Sequence, residues 1–136
     1  MSEHHTSPDF DFDNEITRAT DLGDLTILLE RLLSSNLAVW EVDTLIHIKK
    51  LVDEVRGLRI EIYPNEHPPP HFHVRGPSIA ATFDIRTCEL LQGAIQGREQ
   101  RLVEWWHRRS RGQLIRLWNS TRPANCPVGP IDEEAA

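Results

Sequence analysis

LRIEIYPNEHPPPHFHVRG, Leu58 to Gly76, is the stretch on which the fold class turns. Leu58, Ile60 and Ile62 alternate with Arg59, Glu61 and Tyr63, the period-two pattern of a strand with one buried face. Pro64–Pro70 cannot continue a ladder, because three consecutive prolines supply no N–H donors. From His71 to Arg75 the strand pattern resumes. Side chains alternate across a strand, so Phe72 and Val74 face the core while His71, His73 and Arg75 share the opposite side. The prolines form the turn between the two strands, and His67 lies on that turn.

Working outward, Gly76-Pro77 is a turn signal. Ile79–Ile85 reads as a third strand and Cys88–Leu91 as a short fourth, with Gly93 ending an antiparallel meander. Gly97–Arg109 has helical spacing, with Leu102, Val103 and Trp106 on one side. Gly112 marks a break, and Gln113–Ser120 forms a further helix through Leu114, Ile115, Leu117 and Trp118. Upstream, Leu25, Leu28, Leu29, Leu32 and Leu33 make an apolar stripe over Asp21–Ser35, with Asp21 or Asp24 as N-cap. Glu41–Arg56 is expected to be a second helix stopped by Gly57, completing a helical hairpin. The expected architecture is α+β: a helical hairpin (21–56), then an α+β domain (57–125) with three to four strands and two C-terminal helices packed on the sheet. Residues 1–20 are expected to be a disordered acidic segment, within which Phe10–Asp13 is a short docking candidate. Residues 126–136 are expected to be a flexible acidic tail.

The chain has 136 residues, and 39% apolar and 26% charged residues fit a globular protein. Its N-terminus is acidic and has no apolar signal core, and no apolar run suggests a membrane helix, so a cytoplasmic location is expected. In that reducing setting the two cysteines, Cys88 and Cys126, are not expected to pair. Net charge is -6, distributed unevenly. Residues 1–57 carry 12 acidic and 5 basic side chains, whereas residues 58–125 carry 10 arginines, no lysine and 6 acidic side chains. Arginine matches carboxylate and phosphate with a planar fork. The back half therefore suits an anionic partner: nucleic acid, an acidic protein, or the chain's own front. A front packed on the arginine-rich helices would serve as a fused regulator or a dimerisation arm.

The histidines admit three chemistries. His67, His71 and His73 are the candidate metal ligands, for a divalent ion such as zinc, with Glu66 and Asp84 as candidate further ligands. His71 and His73 are also candidates for acid–base cleavage of a phosphodiester, with Arg75 steadying the developing charge. Alternatively they hydrogen-bond at a strand edge or meet a partner without chemistry. The absence of a cofactor is favoured over a divalent metal such as zinc, and the residues do not decide whether the chain is an enzyme. Tyr63, Glu66, Arg108, Arg109 and Arg111 are the candidate binding residues around this centre. Of the adjacent Trp105 and Trp106, one should be core and the other at an edge or against the front helices. The chain has no phosphate loop and no nucleophile elbow. Cys88 has no base beside it in sequence and is not a candidate nucleophile.

The runs RIEIYPNEHPPPHFHVRG, ATFDIRTCELLQG and RLVEWWHRRSRGQLIRLW resemble the bacterial domain-of-unknown-function family numbered four-one-six-zero, over roughly residues 57–125. The HPPPHFHVRG piece is the specific part. The acidic helical front lies outside the resemblance. The resemblance implies a two-gene, toxin–antitoxin-like context with a small protein from a neighbouring gene as partner. RNA is a further candidate partner, and an oligomer is compatible with either. It implies no particular activity.

Overall fold

The computed structural model describes residues 8–41, 43–48, 57–62 and 69–120. It is α+β: helices α1 (Pro8–Arg18) and α2 (Leu22–Leu33), a hairpin of β1 (Leu37–Trp40) and β2 (Thr44–His47), strands β3 (Arg59–Glu61), β4 (His71–Arg75), β5 (Ala80–Asp84) and β6 (Leu90–Ala94), and helix α3 (Gly97–Ser120). Strands β3 to β6 form one antiparallel sheet in chain order. No helix among the described residues is long and apolar enough to cross a membrane.

The sheet's inner face follows the alternation in sequence. Ile60, Phe72, Val74, Ala81 and Phe83 are buried. Phe72 stacks on Phe83 at 5.5 Å and meets Trp106 of α3 at 5.8 Å. Helix α2 forms as its leucine spacing predicts: Asp21 caps it by accepting from the Asp24 N–H at 2.8 Å, and all five stripe leucines are buried.

Four expectations are corrected. The segment expected to be disordered forms α1 from residue 8 onward; residues 1–7 lie outside the description. Phe12, Ile16 and Ala19 are spaced for one helix side and are all buried, so three apolar residues suffice to anchor it. Phe12, within the Phe10–Asp13 piece, packs edge-on against Trp105 with ring centres 6.2 Å apart.

The second helix expected over Glu41–Arg56 is instead the β1–β2 hairpin up to His47; residues 49–56 lie outside the description. Leu37, Val39 and Leu45 bury one hairpin side, a period-two pattern that the downstream leucines and valines had masked. Glu41 makes the turn at φ 57°, a left-handed conformation uncommon for a side-chain-bearing residue.

The C-terminal pair is one continuous helix. Gly112 lies on its exposed side, while Leu102, Val103, Trp106, Ser110, Leu114 and Trp118 keep a continuous buried stripe past it. Packing along that stripe outweighs the roughly 1 kcal/mol that a helical glycine costs.

Cys88 lies in the turn before β6 rather than in a strand, at φ 63°. Both Trp105 and Trp106 are fully buried, because α3 is covered on two sides. Trp106 donates its indole N–H to the Leu25 carbonyl of α2 at 3.0 Å, and Trp105 donates to the Asp43 carbonyl beside β2 at 2.9 Å. Front and back halves share one apolar core.

The arginines of α3 reinforce this seam. Arg109 lies over the Trp105 ring at 3.7 Å and pairs with Asp13 at 2.5 Å and Asp43 at 2.8 Å. Arg108 reaches the same Asp43 carboxylate at 3.0 Å. The hydrogen bond from Arg109, with Arg108 adding to it, holds the Asp43 carboxyl below the usual carboxylate range against the desolvation that raises it. Arg98, at the start of α3, donates to the carbonyls of Leu37 at 2.9 Å and of Ser35, fastening the end of α2 to β1.

Candidate functional site

The sheet's outer face carries the candidate site. His71, His73 and Arg75 share that face, as parity requires, and the register adds their neighbours. His71 is opposite Asp84, His73 lies between Glu61 and Thr82, and Arg75 lies between Arg59 and Ala80. Gln92 and Ala94 extend the last two rows onto β6.

The two imidazoles are close and held. Their ring centres are 5.0 Å apart, edge to face. His71 donates from Nδ1 to the Pro69 carbonyl at 2.7 Å, since a carbonyl oxygen can only accept. His73 Nδ1 bonds the Thr82 hydroxyl at 3.0 Å. Only 5% of His71 is exposed, and its ring centre lies 6.3 Å from that of the buried Trp118. His73 is half-buried. Pro69 thus orients His71 through its backbone carbonyl, a role that the sequence does not declare.

Arg75 does not converge with the imidazoles. It is four residues along the strand from His71, about 13 Å at the usual strand rise. Its Nε is 2.9 Å from Glu61 Oε1. Asp84 is committed to the β5–β6 turn, where Oδ1 accepts the N–H groups of Arg86 at 2.7 Å and Thr87 at 3.2 Å. Among the described residues no group of three or more His, Cys, Asp and Glu side chains is placed to hold a metal ion. His67, Tyr63 and Glu66 lie outside the described residues. Arg108 and Arg109 lie on α3 against the front, away from the histidine face; Arg111 is half-buried on the same helix.

Three residues near this centre escaped the sequence. Thr82 anchors His73, and Arg59 faces Arg75, because of a register that strand spacing alone does not reveal. His107 is buried beneath the sheet, its ring parallel to Phe72 at 6.1 Å, and donates from Nε2 to the Ile85 carbonyl at 2.5 Å. Burial pushes its imidazole pKa down, opposed by that backbone hydrogen bond. Cys88, at the same end of the sheet, has its thiol pushed up to about 12 by burial and by Glu104, which leaves it protonated and unreactive.

No curated protein and no solved structure matches this chain. Residues 57–119, which span the sheet and nearly all of α3, match the family model described as Domain of unknown function (DUF4160), in agreement with the resemblance carried by the HPPPHFHV stretch.

Proposed function

We propose that the chain is a binding module of a toxin–antitoxin-like pair, which docks a small partner protein on the outer face of its four-stranded sheet. The observation that carries this is the way the two imidazoles are held: each has its Nδ1 committed, and His71 is almost wholly buried. A proton relay needs solvent or substrate at both rings, whereas imidazoles held in this way stiffen the strand that underlies a docking face. The exposed Arg59, Ala80, Gln92 and Ala94 lie on the same face and supply accessible surface. Co-expression with the small protein of the neighbouring gene tests the proposal. The two should co-purify, and Ala80→Leu, which places a bulky side chain on the outer face, should abolish the complex while the chain stays folded. Undiminished co-purification of that variant would remove the sheet face from the interaction.

A second reading, metal-independent cleavage of RNA by His71 and His73 with Arg75, is favoured by the 5.0 Å separation of the two rings. It predicts growth arrest with RNA decay on expression, lost in His73→Gln. Arrest unchanged in a folded His73→Gln protein would end it. A metal-dependent hydrolase needs His67 as the third ligand. It predicts bound zinc in protein purified without a histidine tag, and a thermal shift on adding the ion.

A further inference from the structure

Arg59 and Arg75 are direct partners across β3 and β4. Like charges in such positions repel, and sheets ordinarily avoid them. Compensation here is incomplete. Glu61 approaches Arg75 Nε at 2.9 Å, but the N–H is not aligned for a hydrogen bond and stays buried without an acceptor. Among the described residues no carboxylate lies within ion-pair distance of Arg59, whose side chain is exposed. In the same row, across β5 and β6, follow the exposed Ala80 and Ala94, whose short side chains leave a low floor beside the two guanidinium groups.

We infer that Arg59 and Arg75 form a cross-strand fork that receives a carboxylate-bearing, extended segment of a partner protein lying over Ala80 and Ala94. This rests on the open-face docking proposed above and specifies the chemistry of the partner. Two planar guanidinium groups match a carboxylate in geometry and relieve their mutual repulsion when it binds. They match a phosphate equally well, but the rest of the face disfavours nucleic acid. The described residues place no Phe, Tyr or Trp on the outer face for bases to stack on. Glu61 stands beside the fork, and the chain's net charge of -6 repels a phosphate backbone.

Fluorescence anisotropy with the full chain tests this, using a short glutamate-rich peptide, its glutamine counterpart and a single-stranded RNA of equal length. The glutamate peptide should bind in preference to the other two, and more weakly as salt rises. Arg59→Gln and Arg75→Gln should each weaken it by about ten-fold or more, the size of a lost charge-assisted hydrogen bond. Arg86→Gln, which makes the same charge change on the β5–β6 turn, should leave binding unchanged. Arg59→Gln should melt no lower than the parent, since it removes a repulsion, so lost binding will not reflect lost folding. Peptide binding that survives both fork substitutions but is lost in Ala80→Leu overturns the fork and leaves the docking face standing. Binding insensitive to all three overturns both. Fork-dependent preference for the RNA overturns the carboxylate assignment.

Discussion

Two pairs of arginines show the contrast on which this molecule is built. Arg108 and Arg109, on α3, are answered by Asp13 and Asp43 from the front segment, and Arg109 is further held over Trp105. Arg59 and Arg75, on the sheet, face each other with Glu61 as their one nearby carboxylate among the described residues. In the linear sequence all four belong to the same lysine-free basic stretch. The fold uses the first pair to close a seam and leaves the second on an open surface. Clustered charge in a sequence therefore does not identify a binding patch; what distinguishes the pairs is how fully the chain answers them, with two carboxylates for the first pair and Glu61 beside Arg75 alone for the second among the described residues.

Breaking the seam should have the largest effect. Trp105→Ala leaves a cavity between α3, α1 and the hairpin and should cost about 3–5 kcal/mol, read from the urea midpoint. If the front were only an appended regulator, that cost would be far smaller. Deleting residues 1–56 should likewise abolish cooperative unfolding, since it removes the leucines of α2 from the shared core. Arg109→Ala should cost about 1–2 kcal/mol, from the lost ion pairs and the stacking on Trp105. Combining it with Asp43→Ala should give less than the sum of the two single losses, which a double-mutant cycle measures.

Between the two regions stands His107, and its effect depends on pH. Its folded pKa is depressed below the ordinary 6.5. The unfolded chain therefore takes up a proton before the folded one does, and stability falls with acidity. The His107 contribution should be whole above pH ~6.5 and should decline as pH falls below it, until the folded ring protonates. His107→Gln should flatten the acid side of the stability profile; an unchanged slope between pH 7 and 5, roughly the range in which a histidine titrates, would assign the acid loss to other groups. The smallest effect should come from the open pair. Arg59→Gln should stabilise the free protein by a few tenths of a kcal/mol at low salt, and salt should erase the gain.

Much of this architecture was legible because it rests on local periodicity. The alternation of Leu58–Ile62 and of His71–Arg75, and the leucine stripe of α2, each specify an element whatever surrounds it, and each forms. Elements whose local signals compete or are short do not declare themselves in this way. Phe12, Ile16 and Ala19 are too few to call a helix until Trp105 and Trp106 supply the surface they bury against. Leu37–His47 fits either period, and the contact with α3 selects the hairpin, through Asp43 as acceptor for Trp105 and counter-ion for Arg109. Gly112 weakens a helix in isolation but does not break one whose buried stripe runs past it on the other side.

The candidate site divides in the same way. That His71, His73 and Arg75 lie together opposite Phe72 and Val74 follows from the sequence alone, because side-chain alternation is a property of any strand. Which residues sit across from them is a matter of register, set by how β3 and β5 pair with β4. Tertiary structure alone placed Thr82 against His73, brought the His71 ring beside Trp118, and set Arg59 opposite Arg75. Pairings between distant segments depend on the whole core that holds the strands in place, and no local window of sequence contains that information.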